Sequence, residues 1–246
     1  MSKEKTRVEV IAKQSISKNL TRVTLAGPGL SEFPSDFEGG YIKLLIPRNQ
    51  RDPVKRSFTI RSFDCVRKHL SLDMVSHEDE SPAALWLSNL RVGNRVSIQG
   101  PGACKRLNQA ADWFLLAGDM TALPAIAVNL EHLPADAKGF AVLEVRSQED
   151  QIEMNSPKGI KIIWVLNPTP IAMSSSLSDT VMGLPWLDKQ VSVWIAGEFN
   201  TSRVLRQYFR HERQVDKDFS YISCYWKIGD TNEGLKIAKK TDTEAW

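Results

Sequence analysis

The sequence is poor in cysteine and has no closely spaced cysteine pair. Cys65, Cys104 and Cys224 are the three cysteines of this 246-residue chain, and no Cys-x-x-Cys spacing occurs. Disulfide frameworks, four-thiolate zinc sites and iron–sulfur clusters need more thiols at closer spacing. We therefore expect free thiols and no protein-bound metal, so any redox chemistry would need an organic cofactor.

The sequence also lacks a large charge excess and a long apolar run. Its 32 basic and 29 acidic side chains leave a net charge of +3, too small to indicate a nucleic-acid partner. The longest apolar runs, such as Trp113 to Ala117 and Ile162 to Leu166, have the length of strands, and the charged N-terminus precedes no stretch of signal-peptide length. We expect a cytoplasmic, monomeric protein with no membrane segment.

The first half of the chain has the pattern of an antiparallel β-barrel, because short β-like runs alternate with turn residues. Six strands are predicted, at 7–12, 20–25, 41–46, 57–61, 70–75 and 95–99. Ser81-Pro82 interrupts this pattern with a helix signal, in which serine is the N-cap and proline takes the first helical position. A short helix is therefore predicted among the strands.

The second half alternates apolar strands with helices, which is typical of a parallel α/β domain. The predicted strands lie at 113–117, 140–145, 160–166, 191–196 and 221–226, and the predicted helices at 123–133 and 201–211. Arg203, Arg206 and Arg210 share one face of the second helix, a pattern typical of a solvated surface. The tail after Gly229 is either a helix or a soluble end. The boundary is predicted near Asn108 to Asp112, which gives domains at 1–109 and 110–246.

The segment from Arg56 to Arg61, RSFTIR, is the sharpest local signal. Strand alternation places its two arginines on opposite faces. An arginine can bind a phosphate bidentately, an aromatic ring can stack on a planar ring, and a threonine hydroxyl or a backbone amide can hydrogen-bond a ring nitrogen. A flavin dinucleotide needs these groups, although an ordinary exposed strand would also fit the hexapeptide alone.

The helix that begins at Ser81 to Ala84 predicts an anion site. Its free amides and positive dipole end attract a phosphate, and its small side chains let the phosphate approach. His77, just before this helix, could stack on an adenine, although a loop histidine is more often solvated. Trp86, one turn into the helix, is more often a core residue than a ligand.

Two strand-to-helix turns in the second half, at Gly118-Asp119 and Gly197-Glu198, predict the two sides of one nucleotide crevice. A Gly-x-Gly-x-x-Gly fingerprint is absent. Glu144, at the end of the next strand, could accept a ribose hydroxyl and favour NADH. The neighbouring Arg146 could instead meet a 2′-phosphate and favour NADPH. The sequence leaves this choice open.

Together these segments resemble the siderophore-interacting protein family, a branch of the ferredoxin-reductase-like flavoproteins, over nearly the whole chain. The family's Arg-x-Tyr-Thr-x-Arg motif is similar to Arg56 to Arg61, and its histidine-containing turn with Gly-Pro-Ala-x-x-Trp is similar to His77 to Trp86. Its Gly-Asp-Glu-Thr-Ala-x-Pro-Ala motif is similar to Gly118 to Ala125. Its Trp-x-x-Gly-Glu and Tyr-Trp-x-x-Gly segments resemble Trp194 to Glu198 and Tyr225 to Gly229.

This chain departs from the family pattern at three positions. Phe58 replaces a tyrosine, which keeps the ring and loses a hydroxyl. Ser81 replaces a glycine and can still cap the helix, so pyrophosphate binding should survive. Met120 replaces a glutamate, which removes a carboxylate near the expected nicotinamide crevice and leaves the strength or choice of pyridine nucleotide open.

The resemblance implies a six-stranded antiparallel β-barrel that holds FAD and a parallel α/β domain that admits NADH or NADPH. It implies a ferric-siderophore reductase, in which a hydride passes to FAD and single electrons then reduce ferric iron in an anionic siderophore. Hard oxygen ligands hold the ferrous ion less well, so reduction releases it.

The resemblance also implies which residues form the sites. Thr59 and Phe58 would contact the reacting ring. The other expected cofactor-binding residues are Arg56, Ser57, Ile60, Arg61, Asp73, His77, Ser81, Pro82, Ala83, Ala84, Trp86, Gly118, Asp119, Thr121, Glu144, Gly197 and Glu198. Lys55, Arg203 and Lys227 are the expected cations for the siderophore.

Two other functions stay open at this point. The same architecture could pass electrons from NADH or NADPH to free flavin or to a ferredoxin-type protein partner. A protein of this fold could also bind an iron chelate without catalysis.

Overall fold

The structure, a computed structural model, describes residues 4–48, 51–76, 81–170, 174–230 and 232–244. His77, one of the predicted ligands, lies outside these residues. The chain divides into two compact units. One consists of residues 1–106 with 127–129, and the other of residues 107–126 with 130–246.

The first unit is built on an antiparallel sheet of seven strands. They are β1 (Thr6–Ser17), β2 (Leu20–Ala26), β3 (Tyr41–Arg48), β4 (Arg51–Thr59), β5 (Ser62–Asp64), β6 (His69–Val75) and β7 (Arg95–Gly102). Their order in the sheet is β4-β3-β7-β1-β2-β6-β5. The edge strands β4 and β5 are separated by two residues along the chain, so the sheet curls until its two edges approach each other.

The prediction of six strands is wrong by one, because β5 was not predicted and the predicted strand at 57–61 overlaps only the end of β4. β4 ends at Thr59, and β5 begins at Ser62. Between them the Ile60 amide donates to the Gly40 carbonyl oxygen at 2.8 Å, while the Arg61 amide donates to the Ser71 carbonyl oxygen at 2.9 Å. A three-residue strand such as β5 is too short to produce a periodic signal in the sequence.

The helix predicted at Ser81-Pro82 is confirmed as α1 (Pro82–Asn89). Its N-cap is Ser81, whose hydroxyl oxygen accepts from the Ala84 amide at 3.3 Å. At the other end, Lys13 Nζ donates to the carbonyl oxygen of Leu87 at 2.7 Å, which satisfies a group that the helix itself leaves unpaired. Leu87 belongs to the apolar core of the first unit, so α1 is fixed at both ends and along its buried face.

The second unit is built on a parallel sheet of five strands, and the prediction of a parallel α/β arrangement is confirmed. The strands are β8 (Trp113–Gly118), β9 (Lys138–Val145), β10 (Gly159–Leu166), β11 (Val191–Glu198) and β12 (Ser220–Trp226). Every neighbouring pair is parallel. Each residue of β8 and β11 is buried, as expected for central strands that are covered on both faces.

Four helices connect or follow these strands: α2 (Leu123–Glu131), α3 (Ser176–Met182), α4 (Phe199–Gln207) and α5 (Asn232–Glu244). A π-helical turn, Tyr208–Glu212, continues α4, and 3-10 turns lie at Pro28–Glu32, Gln148–Asp150 and Lys217–Phe219. No helix in the described ranges is both long and apolar enough to cross a membrane.

The strand order β10-β9-β8-β11-β12 fixes where a ligand can bind in the second unit. The first strand of this unit, β8, lies in the middle of the sheet. β9 and β10 are added on one side of β8, and β11 and β12 are then added on its other side. Open α/β sheets bind ligands outside the carboxyl ends of the strands at such a reversal. The carboxyl ends of β8 and β11 therefore mark the candidate crevice.

The arginine face of α4 is not simply solvated, because the tail after Gly229 folds into α5 and supplies a carboxylate. Asp242, whose side chain is 6% exposed, pairs with Arg206 Nη1 and lies 3.2 Å from Arg203 Nε. Leu235 of the same helix packs with Phe199 and Cys224 in a small apolar cluster. α5 is thus held against α4 and β12 by one buried carboxylate and one apolar contact.

Candidate functional site

Arg56 combines a positive charge with partial burial in the first unit. It lies on β4 opposite Leu44 of β3 and is half-buried. Burial of the guanidinium lowers the pKa of Arg56 from its ordinary value, and the positive charge of the nearby Arg48 lowers it further. Arg56 Nη1 donates to the Lys55 carbonyl oxygen at 3.3 Å, and the guanidinium has further N–H donors that could bind an external anion such as a phosphate.

Phe58, two residues along β4, is half-buried and packs against the edge of the apolar core. Ala83 and Trp86 of α1 pack against the same core. The structure therefore brings the predicted aromatic residue of β4 and the first turns of α1 to one apolar cluster. Trp86 has the core contact that its position on the helix predicted.

The N-terminus of α1 has fewer backbone amides available to a phosphate than an uncapped first turn would have. Pro82 has no N–H, and the Ala84 amide donates to Ser81 Oγ. Within the described residues, the Ala83 amide is the first-turn donor without a partner in the protein. A phosphate at this end would therefore receive one backbone hydrogen bond together with the helix dipole.

Arg61 and Asp73 form an internal charge cluster with Arg22. Asp73 is buried and accepts from Arg22 Nε at 2.6 Å and from Arg22 Nη2 at 2.8 Å. Arg61 Nε lies 4.0 Å from Asp73 Oδ2. This cluster joins β2 to β6, so the structure gives Asp73 a role in the sheet that its predicted role in cofactor binding did not include.

The remaining residues of the hexapeptide are divided between core and surface. Ile60 is fully buried in the apolar core, so its side chain presents no surface to a ligand. Ser57 is exposed, while Thr59 is half-buried opposite Tyr41 of β3. β4 is an edge strand, which leaves one side of its backbone outside the ladder and available to a ligand.

Asp119 is the centre of the carboxyl edge in the second unit. Its Oδ1 accepts from the Thr121 amide at 2.8 Å and from the Thr121 hydroxyl at 2.5 Å, and its Oδ2 accepts from Trp226 Nε1 at 2.7 Å. The Glu198 amide is a further donor. Burial raises the pKa of the Asp119 carboxyl, and these hydrogen bonds act in the opposite direction.

Glu198 is the N-cap of α4, whereas the sequence predicted that Thr201 or Ser202 begins this helix. Its Oε2 accepts from the amides of Asn200 at 2.5 Å and Thr201 at 3.2 Å. Its Oε1 accepts from the Ile228 amide at 3.3 Å, beyond the end of β12. Cofactor binding by this carboxylate, which the resemblance implies, would compete with three hydrogen bonds inside the protein.

The two glycines of the predicted crevice are required by close contacts. Gly197 has φ +151°, and a Cβ there would lie 2.5 Å from Asp119 Oδ2. A Cβ at Gly118 would lie 2.6 Å from both the Ala122 Cβ and the Ala196 carbonyl oxygen. The glycines let the turns pass close to one another, which keeps the carboxyl edge compact.

Glu144, near the end of β9, retains its predicted place on this edge and is half-buried. Burial raises the pKa of the Glu144 carboxyl, the Asp119 and Glu198 charges raise it further, and a hydrogen bond from Asn167 opposes them. Asn167 directly follows β10, and its polar side chain at a strand end was the signal that sequence reasoning missed. Trp226 was also missed as a partner of Asp119, although its indole N–H makes it a hydrogen-bond donor.

Met120 is buried, with 4% of its surface exposed. At the position where the family motif has glutamate, this chain places an apolar side chain in the core. The structure therefore contains no charge at this point of the turn between Asp119 and Thr121.

Lys227 and Arg203, which were predicted to bind an anionic substrate, lie beside carboxylates. Lys227 Nζ lies 3.0 Å from Asp230 Oδ2, and Arg203 pairs with Asp242 as described above. Lys55 is exposed on β4, directly before Arg56. Within residues 4–244 as described, no cluster of three or more His, Cys, Asp or Glu side chains could hold a metal ion.

The first unit fits a flavin dinucleotide on its own evidence. Arg56 is a partly buried cation whose charge is disfavoured by burial and by Arg48, and an anion would relieve both effects. Phe58 supplies a ring at the edge of the apolar core, and Ala83 supplies a free amide at a helix N-terminus. A phosphate-bearing ligand with a planar ring matches these three features.

We expect Gly197→Ala to lower the free energy of unfolding by about 3 to 5 kcal/mol, because it combines a disfavoured φ with a clash against Asp119. Gly229→Ala is the matched control, since Gly229 also has positive φ, +70°, and a Cβ there would meet nothing within 4 Å. That variant should lose roughly 1 to 2 kcal/mol. Urea denaturation measures both values, and equal losses would show that the Asp119 contact does not constrain this turn.

The comparisons with known proteins agree with the geometry of both units. The family model described as "Siderophore-interacting protein" matches residues 111–229, and the "Siderophore-interacting FAD-binding domain" matches residues 9–55 and 47–105. The ferric vibriobactin reductase ViuB of Vibrio cholerae is 31% identical over 257 residues, which cover 95% of each chain.

Two solved structures show the same fold. The siderophore-interacting protein SipS from Aeromonas hydrophila is 29% identical, with a TM-score of 0.88 over 98% of each chain. A ferredoxin–NADP⁺ reductase from Plasmodium falciparum is 12% identical, with a TM-score of 0.68 over 90% of this chain and 97% of the other, and it shares the fold alone. This chain therefore belongs to the siderophore-interacting protein family.

Proposed function

We propose that this protein is an FAD-dependent ferric-siderophore reductase that takes its electrons from a nicotinamide nucleotide. The half-buried Arg56 is the observation that carries the proposal, because it places a cation on the edge strand β4, two residues from the ring of Phe58. The family membership and the 31% identity to a ferric vibriobactin reductase support the same activity.

In this proposal the first unit holds the flavin through groups of β4 and α1. Arg56 neutralises a phosphate, and the Ala83 amide with the dipole of α1 binds the same pyrophosphate. Phe58 and Thr59 contact the ring system from the edge strand β4. When bound, a flavin accepts two electrons together from a nicotinamide and can release them one at a time.

The second unit provides the nicotinamide crevice at the carboxyl ends of β8 and β11. Asp119 and Glu198 act here by holding the surrounding backbone, since their carboxylates accept hydrogen bonds from Thr121, Trp226 and Ile228. Gly118 and Gly197 have no Cβ, so the two turns can pack closely against Ala122, Ala196 and Asp119 and leave the backbone accessible to a ligand. A nucleotide would therefore meet an edge whose shape is fixed before binding.

The substrate in this proposal is ferric iron bound by an anionic siderophore. Lys55 is a candidate for its contact, because it is exposed and directly precedes Arg56 on β4, and Lys227 and Arg203 are the other candidates. Iron arrives bound to its chelator, and the weaker hold of hard oxygen ligands on the ferrous ion favours its release after reduction.

We expect Arg56→Ala to weaken FAD binding by about 10-fold to 100-fold, the range for losing a charge-assisted hydrogen bond to a phosphate. Titration of the apoprotein with FAD, followed by quenching of flavin fluorescence, measures the dissociation constant. Arg95→Ala is the control, because Arg95 is an exposed arginine of the same sheet that pairs with Glu9. The same FAD affinity in wild type and R56A would contradict the assignment of this arginine.

We expect Lys55→Ala to raise the KM for an anionic ferric chelate several-fold and to leave the KM for the nicotinamide unchanged, since it removes one charge from the substrate side. Steady-state formation of ferrous iron, trapped by a colorimetric chelator, measures both constants in this variant and in Lys227→Ala and Arg203→Ala. An enzyme that serves a protein partner or free flavin would show no change in chelate turnover in any of the three variants. A non-catalytic chelate-binding module would form no ferrous iron at all.

A further inference from the structure

The segment that links β12 to α5, residues 226–230, forms a wall of the candidate crevice. Trp226 Nε1 donates to Asp119 Oδ2 at 2.7 Å, and the Ile228 amide donates to Glu198 Oε1 at 3.3 Å. The ladder between β11 and β12 ends at the pair of Glu198 and Trp226, so this wall continues beyond the sheet. Its position therefore also depends on α5, into which it leads.

Asp230 joins this wall to the first turn of α5. Lys227 Nζ lies 3.0 Å from Asp230 Oδ2, and it lies 5.7 Å from the centroid of the Phe199 ring. A Cβ at Gly234, in the first turn of α5, would overlap with Asp230 Oδ1. The carboxylate thus lies against the start of the helix, where the helix dipole favours a negative charge. A displacement of α5 would therefore also displace the wall.

α5 is packed against the sheet next to the crevice. Leu235 is 7% exposed and forms an apolar cluster with Phe199 and Cys224. Cys224 of β12 is paired with Gly197 of β11, and Phe199 directly follows Glu198 as the first residue of α4. The apolar contact of α5 is therefore made with immediate neighbours of the residues that shape the carboxyl edge.

A buried carboxylate holds the other end of α5. The Asp242 side chain is 6% exposed, pairs with Arg206 and lies 3.2 Å from Arg203 Nε. Removing one partner of a buried ion pair leaves an uncompensated charge, so this contact is costly to lose. Both arginines belong to α4, which begins at its N-cap Glu198. Asp242 thus holds α5 on the helix that starts at the crevice.

We propose that Asp242 is a positioning residue for the nucleotide, because it holds α5 on α4 and thereby fixes the wall at residues 226–230. The inference rests on the proposed function, since it assumes that the crevice receives a nicotinamide nucleotide. Asp242 itself does not contact the ligand in this account. Its effect passes through Leu235 and Asp230 to the wall, and its loss weakens nucleotide binding.

The reactivity of Cys224 reports whether α5 stays in place, because this thiol is 2% exposed and packs with Leu235. Alkylation by iodoacetamide is followed for each cysteine by mass spectrometry, with the exposed Cys65 as the internal reference. We expect Asp242→Asn to speed the labelling of Cys224 about 10-fold or more, since local opening becomes more frequent. Leu235→Ala should have the same effect through a different contact. Asp188→Asn, which neutralises an exposed carboxylate of the same unit, should have none.

Nucleotide affinity is measured in the same variants without turnover. Isothermal titration of the flavin-free, full-length protein with NADH and with NADPH identifies the nucleotide that binds more tightly. We expect D242N and L235A to weaken its binding about 5-fold or more, while D188N matches wild type. The affinity for FAD should stay unchanged in all three variants, which shows that the first unit is intact. By linkage, saturating nucleotide should also slow the labelling of Cys224 in wild type.

The outcomes separate this inference from the proposed function. Faster labelling of Cys224 in D242N with unchanged nucleotide affinity would overturn the inference and leave the reductase standing. Unchanged labelling in D242N would overturn it too, because α5 would then stay in place without the ion pair. A wild-type protein that binds neither nucleotide would overturn both this inference and the nicotinamide step of the proposed function.

Discussion

A buried carboxylate at the end of β8 determines the shape of the second unit's ligand-binding edge. Asp119 accepts hydrogen bonds from the Thr121 turn, from the Glu198 amide at the end of β11 and from the Trp226 indole at the end of β12. An uncompensated buried carboxylate is costly, so these donors must stay in place for the fold to be stable. The chain accommodates the close approach with Gly197, which has no Cβ to strike the carboxylate.

In the first unit, the two arginines of the RSFTIR segment lie in different surroundings. Arg61 lies 4.0 Å from Asp73, which Arg22 also binds, so this arginine belongs to the internal bracing of the sheet. Arg56, only five positions earlier, is influenced by burial and by Arg48 rather than by a carboxylate. A half-buried cation of this kind would be stabilised by a bound anion, so the proposed phosphate-bearing ligand would also raise the stability of the unit.

Much of the fold could be predicted from the sequence because its signals are local. The apolar runs of β8 and β11 and the Ser81-Pro82 helix start depend on neighbouring residues, and the structure confirms them. The seventh strand could not be predicted, since β5 has three residues and is defined by its pairing with β6. Sequence reasoning placed the start of α4 too late, because a glutamate cap is recognised only by the amides that it accepts.

The site was harder to predict where long-range contacts decide what a side chain does. Arg203 and Arg206 form a basic stripe in the sequence, but Asp242, more than 30 positions later, takes part of that charge. Asp119 and Glu198 lie at the carboxyl edge of the sheet, as their positions in the sequence indicated. Their carboxylates accept hydrogen bonds from other groups of the protein, which the sequence did not predict. Asn167 acquires a role only through the neighbouring strand that carries Glu144.

The most direct test of the account is an anaerobic half-reaction on the FAD-loaded wild-type protein. A nicotinamide nucleotide is added first, and a ferric hydroxamate or catecholate follows after the visible flavin absorbance has been recorded. The account predicts bleaching by the nucleotide, then return of the oxidised spectrum with about two ferrous ions formed per flavin, because the flavin's two electrons leave singly. A yellow protein that the nucleotide fails to bleach, or a bleached protein that the ferric chelate fails to reoxidise, would contradict it.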